Sequence, residues 1–237
     1  MRGSRAALAL ISAAIVLAAA PPAGAVVKGT SSALGRYMVR LDGRDSTCSG
    51  VALARRAVVT AAHCARGMRV LAGGHAFRVT RVARNVLLDD GRRVQVTGDA
   101  AILELLAPLP ASVAVAPVGA GSGAQFTIAG FGTTDERWRS RVGVLHEASL
   151  VSAGTHALVD PNRSGAIGAS ACYGDSGGAV MRGGVLVGVI TRATYPHKRI
   201  ACGDLTRWAP VRVSRPAETV AAKQQPPAAE KSASARR

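Results

Sequence analysis

The tightest local constraint on this chain is the heptapeptide Cys-Tyr-Gly-Asp-Ser-Gly-Gly at residues 172–178. Glycine adopts backbone conformations that a side chain would block, so this segment predicts a sharp turn with accessible main-chain N–H groups. Ser176 lies in the middle of that turn, and a serine hydroxyl is a weak nucleophile unless a neighbouring base takes its proton. The turn therefore predicts a histidine and an orienting acid elsewhere in the chain.

Two upstream segments supply such residues. His63 lies in the run Thr-Ala-Ala-His-Cys, and Asp99 in the run Gly-Asp-Ala-Ala-Ile-Leu. The order histidine, aspartate, serine with these flanks resembles the chymotrypsin/trypsin family of serine endopeptidases, over about residues 26–213. The resemblance implies that Ser176 attacks the scissile carbonyl, His63 takes and returns the proton, and Asp99 orients the imidazole. It also implies an oxyanion hole formed by the backbone N–H groups of Gly174 and Ser176.

Short β-branched runs separated by Gly, Asp and Asn predict an all-β fold. Periodicity alone gives two halves joined by an Ala-, Pro- and Gly-rich crossover at residues 107–123. The resemblance implies two antiparallel six-stranded β-barrels, at about residues 26–115 and 116–213, with the active site in the cleft between them. Residues 214–237 predict a short C-terminal helix and a disordered basic tail.

Residues 1–25 have the features of an export signal. Arg2 and Arg5 give a positive start, residues 6–20 are almost entirely apolar, and an Ala-Gly-Ala cleavage site follows. The alternative is an uncleaved membrane anchor, but the apolar run is shorter than the ~20 residues that a spanning helix needs. We therefore expect cleavage near Ala25 and a secreted, extracellular protein with no stable membrane insertion afterwards.

Cleavage after Ala25 would expose Val26, in a segment that resembles the mature amino terminus of the family. The resemblance implies that the new α-ammonium folds inward and pairs with Asp175, which lies just before the nucleophile. Lys28 departs from the more usual glycine. We expect signal peptidase itself to create the active terminus, without a separate zymogen step.

The chain has four cysteines, and their spacing argues against a zinc ribbon or a redox pair. In an exported protein they are expected to form disulfides. The resemblance implies the pairs Cys48–Cys64 and Cys172–Cys202, each stabilising the fold by about 3 kcal/mol in the chain-entropy account. The alternative is metal binding by the cysteines with His63. We expect neither a metal nor a cofactor.

Specificity is predicted from the resemblance at five positions. Ser170 falls at the pocket floor, where it lacks the carboxylate with which trypsin-like members bind Lys or Arg. Thr191, Arg192 and Ala193 depart from the usual Ser-Trp-Gly of the wall strand, and Gly203 keeps the second wall open. The expectation is a pocket for small or medium apolar side chains, with Arg192 adding tolerance for acidic neighbours.

The formal net charge is +16, which favours contact with anionic surfaces. No basic run interleaved with aromatic residues is present, so specific nucleic-acid binding is not expected. Partners are expected to be protein or peptide substrates and protein inhibitors, with the protein itself a monomer. The resemblance, taken together with a composition rich in Ala, Arg, Gly and Val, favours a bacterial, specifically actinobacterial, source. The histidines outside the predicted triad are interpreted as surface residues: His75, His146, His156 and His197.

Two other functions remain open at the level of sequence. One is a protease fold kept as a binding or adhesion module, suggested by the unusual residue Arg192 and the positive charge. The other is nucleic-acid binding driven by that charge, with a steep dependence on salt.

Overall fold

The computed structural model describes residues 26–134, 142–163, 168–194 and 202–214, and within them the regular structure is almost entirely antiparallel strand. The helices of this part are two short 3₁₀ helices, Ala33–Tyr37 and Ala62–Cys64. The strands are Thr30–Ser31 (β1), Met38–Asp42 (β2), Thr47–Ala54 (β3), Ala57–Ala61 (β4), Arg69–Ala72 (β5), His75–Phe77 (β6), Val79–Ala83 (β7), Asn85–Leu87 (β8), Arg93–Val96 (β9), Ala100–Leu105 (β10), Gln125–Gly130 (β11), His146–Ser152 (β12), Ala157–Val159 (β13), Ala179–Arg182 (β14), Val185–Ala193 (β15) and Thr206–Ser214 (β16).

The first half of the chain forms one barrel. Its strands pair in the order β6, β5, β2, β3, β4, β10, β7. Only Arg78 separates β6 from β7, so these two short strands act as the two halves of one bent strand. Because β6 pairs with β5 and β7 pairs with β10, the bent strand closes a six-stranded ring.

The second half forms another closed ring. Strand β11 pairs with β12 and β14, β12 with β13, β13 with β16, β16 with β15, and β15 with β14. These are again six antiparallel strands. The predicted fold class, all-β with two antiparallel barrels, is confirmed.

Strands from the first half are also attached to the second barrel. β1 pairs with β12, β9 pairs with the second half of β16, and β8 pairs with β9. A hydrophobic cluster with members from both halves, such as Val51, Ile102 and Val189, fills the space between the barrels. The two rings are therefore packed against each other, and each also has its own apolar interior.

The expectation that His146 is a surface residue is wrong: the side chain is 1% exposed, because β12 places it between Ser31 of β1 and Gly130 of β11. The predicted signal, C-terminal helix and tail fall outside the described residues, except that Ser214 is the last residue of strand β16. In the part of the chain that the structure covers, no helix is long and apolar enough to span a membrane.

Candidate active site

His63 and Asp99 are brought together by the pairing of two strands of the first barrel. His63 lies in the 3₁₀ helix that follows β4, and Asp99 directly precedes β10. The antiparallel register pairs Ala61 with Ala100. The end of one strand therefore lies beside the start of the other, which explains how residues far apart in sequence become neighbours.

The carboxylate of Asp99 holds the histidine at two points. Its Oδ2 atom lies 2.8 Å from His63 Nδ1, and its Oδ1 atom accepts a 3.1 Å hydrogen bond from the backbone N–H of His63. A carboxylate beside Nδ1 favours the tautomer with the proton on that nitrogen, which leaves Nε2 as an acceptor in the neutral ring. Both side chains are about half exposed, at 49% and 44%, so this pair borders solvent.

Ser176 is placed by the glycine-rich turn of the second barrel. Gly177 donates a backbone hydrogen bond of 2.7 Å to Ile190, and Gly178 donates one of 2.8 Å to Asp175. Gly177 has a φ of 83°, and a Cβ there would overlap the hydroxyl of Thr60. Glycine is therefore needed for this turn to pack against the end of β4, next to His63.

Ser176 and the His63–Asp99 pair line one cleft of about 580 Å³. The Ser176 hydroxyl donates a long hydrogen bond of 3.4 Å to the carbonyl oxygen of Thr191. Among the residues that the structure describes, no hydrogen bond joins this hydroxyl to the imidazole. The sequence-predicted serine, histidine and aspartate thus meet in one cleft, with the His–Asp contact formed and the Ser–His contact open.

The predicted oxyanion donors lie in the same turn. Neither the backbone N–H of Gly174 nor that of Ser176 has an acceptor within the described residues. Gly174 has a φ of 92°, and a Cβ on it would come within 2.7 Å of the Cα of Gly132. The backbone conformation and the close approach both require glycine at this position.

Asp175 is fully buried, and hydrogen bonds from the backbone to its carboxylate hold the turn that carries Ser176. Its Oδ1 accepts a 2.9 Å hydrogen bond from the N–H of Gly132, and its Oδ2 accepts one of 2.8 Å from Cys172. The backbone N–H of Val26 is a third donor, and burial raises the pKa of Asp175 to about 7. Desolvation penalises the charged carboxylate more than these hydrogen bonds favour it.

The segment predicted to become the amino terminus reaches this buried acid. Val26 has no exposed surface and a positive φ of 62°. Val27 and Ser170 form a bridge in which Val27 donates a 3.0 Å hydrogen bond to the Ser170 carbonyl. Val26 is therefore inserted beside Asp175 in a chain whose peptide bond to residue 25 is intact.

The residues predicted to form the specificity pocket separate into two groups. Thr191, Arg192 and Ala193 line the cleft. Ser170 is fully buried, its hydroxyl accepts a 2.7 Å hydrogen bond from Gly203 N–H, and neither residue belongs to the lining of the cleft. Arg192 is exposed and has no acidic partner in the described ranges.

Sequence reasoning missed several residues that support the site. Ser49 is fully buried in β3; its hydroxyl accepts a 2.9 Å bond from the N–H of Phe131 and donates a 2.9 Å bond to the carbonyl of Gly174. It thereby connects the turn that carries Ser176 to both barrels. A single serine in an apolar strand carries no signal of this role. At Gly130 and Gly132 a Cβ would overlap Asp175. The only sequence signal for this close approach was the presence of two glycines separated by one residue.

Both predicted disulfides are present in the structure, Cys48–Cys64 and Cys172–Cys202. Cys48, Cys64 and His63 also lie close enough for their ligand atoms to reach a common ion. Because the two sulfur atoms are bonded to each other, they cannot act as thiolate ligands. The grouping therefore reflects the disulfide beside His63 and gives no ground for a metal site.

Two closed antiparallel barrels, with a serine, a histidine and an aspartate in the cleft between them, define the class of two-barrel serine hydrolases. A family model described as Trypsin matches residues 26–209. The chain belongs to the trypsin family and is a serine protease, which implies protein or peptide substrates.

Individual relatives agree with this assignment. Trypsin beta of Drosophila erecta is 26% identical over 220 residues, covering 78% of this chain and 87% of that protein. Trypsin alpha of the same species is 26% identical over 197 residues, covering 71% and 77%. Mouse neuropsin, described as a serine protease expressed in the limbic system, shares the fold with a TM-score of 0.57 at 18% identity, covering 77% of this chain and 94% of that chain. These animal relatives give no support to the expected actinobacterial source.

Proposed function

We propose that the protein is a secreted serine endopeptidase that hydrolyses peptide bonds through an acyl-enzyme on Ser176. His63 takes the serine proton through Nε2 as the hydroxyl attacks the scissile carbonyl, then delivers it to the leaving amine. Asp99 holds the imidazole and stabilises the imidazolium that forms. A water molecule activated by the same histidine then hydrolyses the ester and restores Ser176.

One observation carries this proposal: the double hydrogen bond from His63 to Asp99, in the lining of a cleft that also contains Ser176. The open contact to Ser176 is compatible with catalysis, because catalytic hydrogen bonds are often long in a free enzyme and shorten with substrate. A rotation of the serine side chain from the Thr191 carbonyl towards His63 would complete the relay.

The N–H groups of Gly174 and Ser176 are the proposed oxyanion donors. Their lack of acceptors within the described residues supports this role, since a preorganised donor needs no reorganisation when negative charge develops on the substrate oxygen. Removing one such donor typically costs about 10² to 10³ in rate. The bond from Ser49 to the Gly174 carbonyl helps to hold the peptide group that lies between the two donor peptides.

The proposed mature protein starts at Val26, after removal of residues 1–25 as a signal. The protease domain is proposed to span residues 26–213, as two halves at about 26–115 and 116–213, followed by a helix and basic tail. Two disulfides are typical of proteins that mature in an oxidising compartment, which supports secretion. We propose a monomer that protein inhibitors can recognise, without membrane insertion, specific nucleic-acid binding or a cofactor.

For specificity, we propose a preference for small or medium apolar side chains before the scissile bond. Ser170 offers no carboxylate for a basic side chain, and its hydroxyl is already bonded to Gly203. Arg192 adds a cation to the cleft lining, which favours acidic residues close to the scissile bond. Predominant cleavage after Lys or Arg in a peptide library would contradict this proposal.

Arg192→Gln is expected to reduce cleavage of peptides with a nearby glutamate about fivefold, and to leave matched peptides with glutamine unchanged. An exposed ion pair contributes less than about 1 kcal/mol, which sets this modest size. The measurement is kcat/KM on the two peptide series. Arg212→Gln removes an exposed arginine outside the cleft lining and serves as the control; an equal effect of both variants would assign the difference to net charge.

The proposed function is tested by labelling the protein with a fluorophosphonate probe. The expected result is one probe per molecule, attached to Ser176, with no label in Ser176→Ala. Mass spectrometry of the labelled peptide identifies the site, and Ser46→Ala provides a matched control because Ser46 also lines the cleft. Label that is absent from the native protein, or retained in Ser176→Ala, would contradict the assignment of the nucleophile.

A second candidate function is a binding module on a protease fold. It is favoured by the open contact between Ser176 and His63 and by the cation that Arg192 places in the cleft. This alternative predicts correct folding, no fluorophosphonate label and no peptide cleavage. The same labelling experiment therefore separates the two functions.

A further inference from the structure

A second groove lies on the first barrel, outside the catalytic cleft. It has a volume of about 520 Å³, and the first of its lining residues along the chain is Ala65, two residues after His63. Four large apolar residues contribute to its lining: Met68, Phe77, Val79 and Val82. Val82 is 51% exposed, which is high for a β-branched residue in a strand, so part of this apolar surface is open to solvent.

The charge of the groove is one-sided. Arg69, Arg78 and Arg81 line it, and no acidic residue does. Arg81 is paired at 3.0 Å with Glu104, a residue outside the lining. Arg69 and Arg78 are exposed, and neither has an acidic partner among the described residues. The groove thus combines an apolar surface with two exposed cations, an arrangement that attracts an acidic ligand.

The backbone of the groove offers a further recognition element. The bent strand that closes the first barrel changes direction at Arg78, so that β6 pairs with β5 while β7 pairs with β10. Strand β7 has no second neighbour within the described residues, and four of its residues border the groove. A sheet edge of this kind can add an extended peptide as another strand.

We propose that this groove is a docking site for an extended, acidic segment of a partner protein that also carries apolar side chains. Carboxylates would meet Arg69 and Arg78, apolar side chains would cover Val82 and its neighbours, and the partner backbone would pair with β7. The apolar lining and the open strand edge together favour a peptide over a sugar or nucleic-acid polyanion, which would use chiefly the charge. A second copy of this chain, with its net charge of +16, is disfavoured by repulsion.

The test measures binding of a fluorescent, acetylated octapeptide of alternating Glu and Leu by polarisation. All proteins carry Ser176→Ala, so the peptide stays intact and the result does not depend on catalysis. The Kd is expected to rise about tenfold in Arg69→Gln/Arg78→Gln, the sum of two exposed ion pairs. Arg36→Gln/Arg212→Gln removes the same charge elsewhere and is expected to change the Kd less than twofold. Higher salt is expected to weaken the native interaction.

Three further measurements distinguish docking in this groove from binding elsewhere on the protein. Val82→Ser is expected to weaken binding of the Glu-Leu peptide about threefold, and a Glu-Ser peptide of equal charge is expected to bind less tightly than the Glu-Leu peptide. Arg192→Gln is expected to raise the Kd less than twofold, because the peptide can also enter the catalytic cleft but the groove is the tighter site; a loss there larger than the loss in the groove variant would place the peptide in the catalytic cleft and overturn the proposal. Equal effects of the groove and control pairs, or equal affinity for the Glu-Ser peptide, would also overturn it.

Discussion

Asp99→Asn is expected to lower kcat on a good peptide substrate by about 10⁴-fold, while KM changes little. Asp99 accepts two hydrogen bonds from His63, one from the ring and one from the backbone. An asparagine amide can present its NH₂ group to Nδ1, which would favour the tautomer with the proton on Nε2. The imidazole could then no longer accept the proton of Ser176, and the imidazolium would lose its counter-charge.

Two controls make this expectation specific. Asp90→Asn removes a carboxylate that is paired with Arg92 and lies outside the cleft lining, and it is expected to leave kcat within about twofold, as is usual for surface changes. Thermal unfolding of both variants checks that the fold is intact, because both Asp99 and Asp90 are exposed. A folded Asp99→Asn protein with nearly normal kcat would contradict the assigned role of Asp99.

Many of the strands could be predicted from the sequence, because strand formation is specified by local residue patterns. Short β-branched runs bounded by glycine and polar residues specify strands locally, as at Val185–Ala193. The ring closures depend instead on pairing between distant strands, such as β13 with β16, which period-2 patterns do not encode. The resemblance supplied this long-range information. The bend at Arg78 and the attachment of β8 and β9 to the second barrel were not predicted, because both arise from tertiary pairing.

The candidate site likewise divides into residues that local sequence patterns predict and residues that only tertiary contacts reveal. The turn around Ser176 and the segments of His63 and Asp99 could be recognised because their residue types are required by chemistry and by close backbone approach. The role of Ser49 could not be recognised from the sequence, since nothing in the local pattern distinguishes this serine from other serines in buried strands. The burial of His146 was missed because it depends on the pairing of β1 with β12 of the second barrel, and no local sequence pattern predicts that pairing.

A protein that starts at Val26 is expected to differ from an extended form, which retains Ala23-Gly24-Ala25 before it, in the pH dependence of its stability and in its activity. In the extended form Asp175 is fully buried among backbone donors, and burial raises its pKa to about 7. Because the folded state then binds a proton more tightly than the unfolded state, whose carboxyl has a pKa of 3.8, the contribution of Asp175 to stability is largest below about pH 4. It should fall as the pH rises from about 4 to about 7, by a few kcal/mol or about 10 °C in Tm.

The form that starts at Val26 is expected to show no such loss, because its ammonium would lie where the backbone N–H of Val26 now contacts Asp175 and would supply the missing cation. It is also expected to be at least 10-fold more active at pH 7, since an ionised, paired Asp175 fixes the turn that presents Gly174 and Ser176. Thermal unfolding and kcat/KM from pH 4.5 to 8 test both statements. Asp175→Asn should abolish the pH slope of the extended form, whereas Asp90→Asn should preserve it. Identical pH profiles and activities for the two amino termini would contradict the proposed ion pair, because an amide and an ammonium at Val26 differ chiefly in charge.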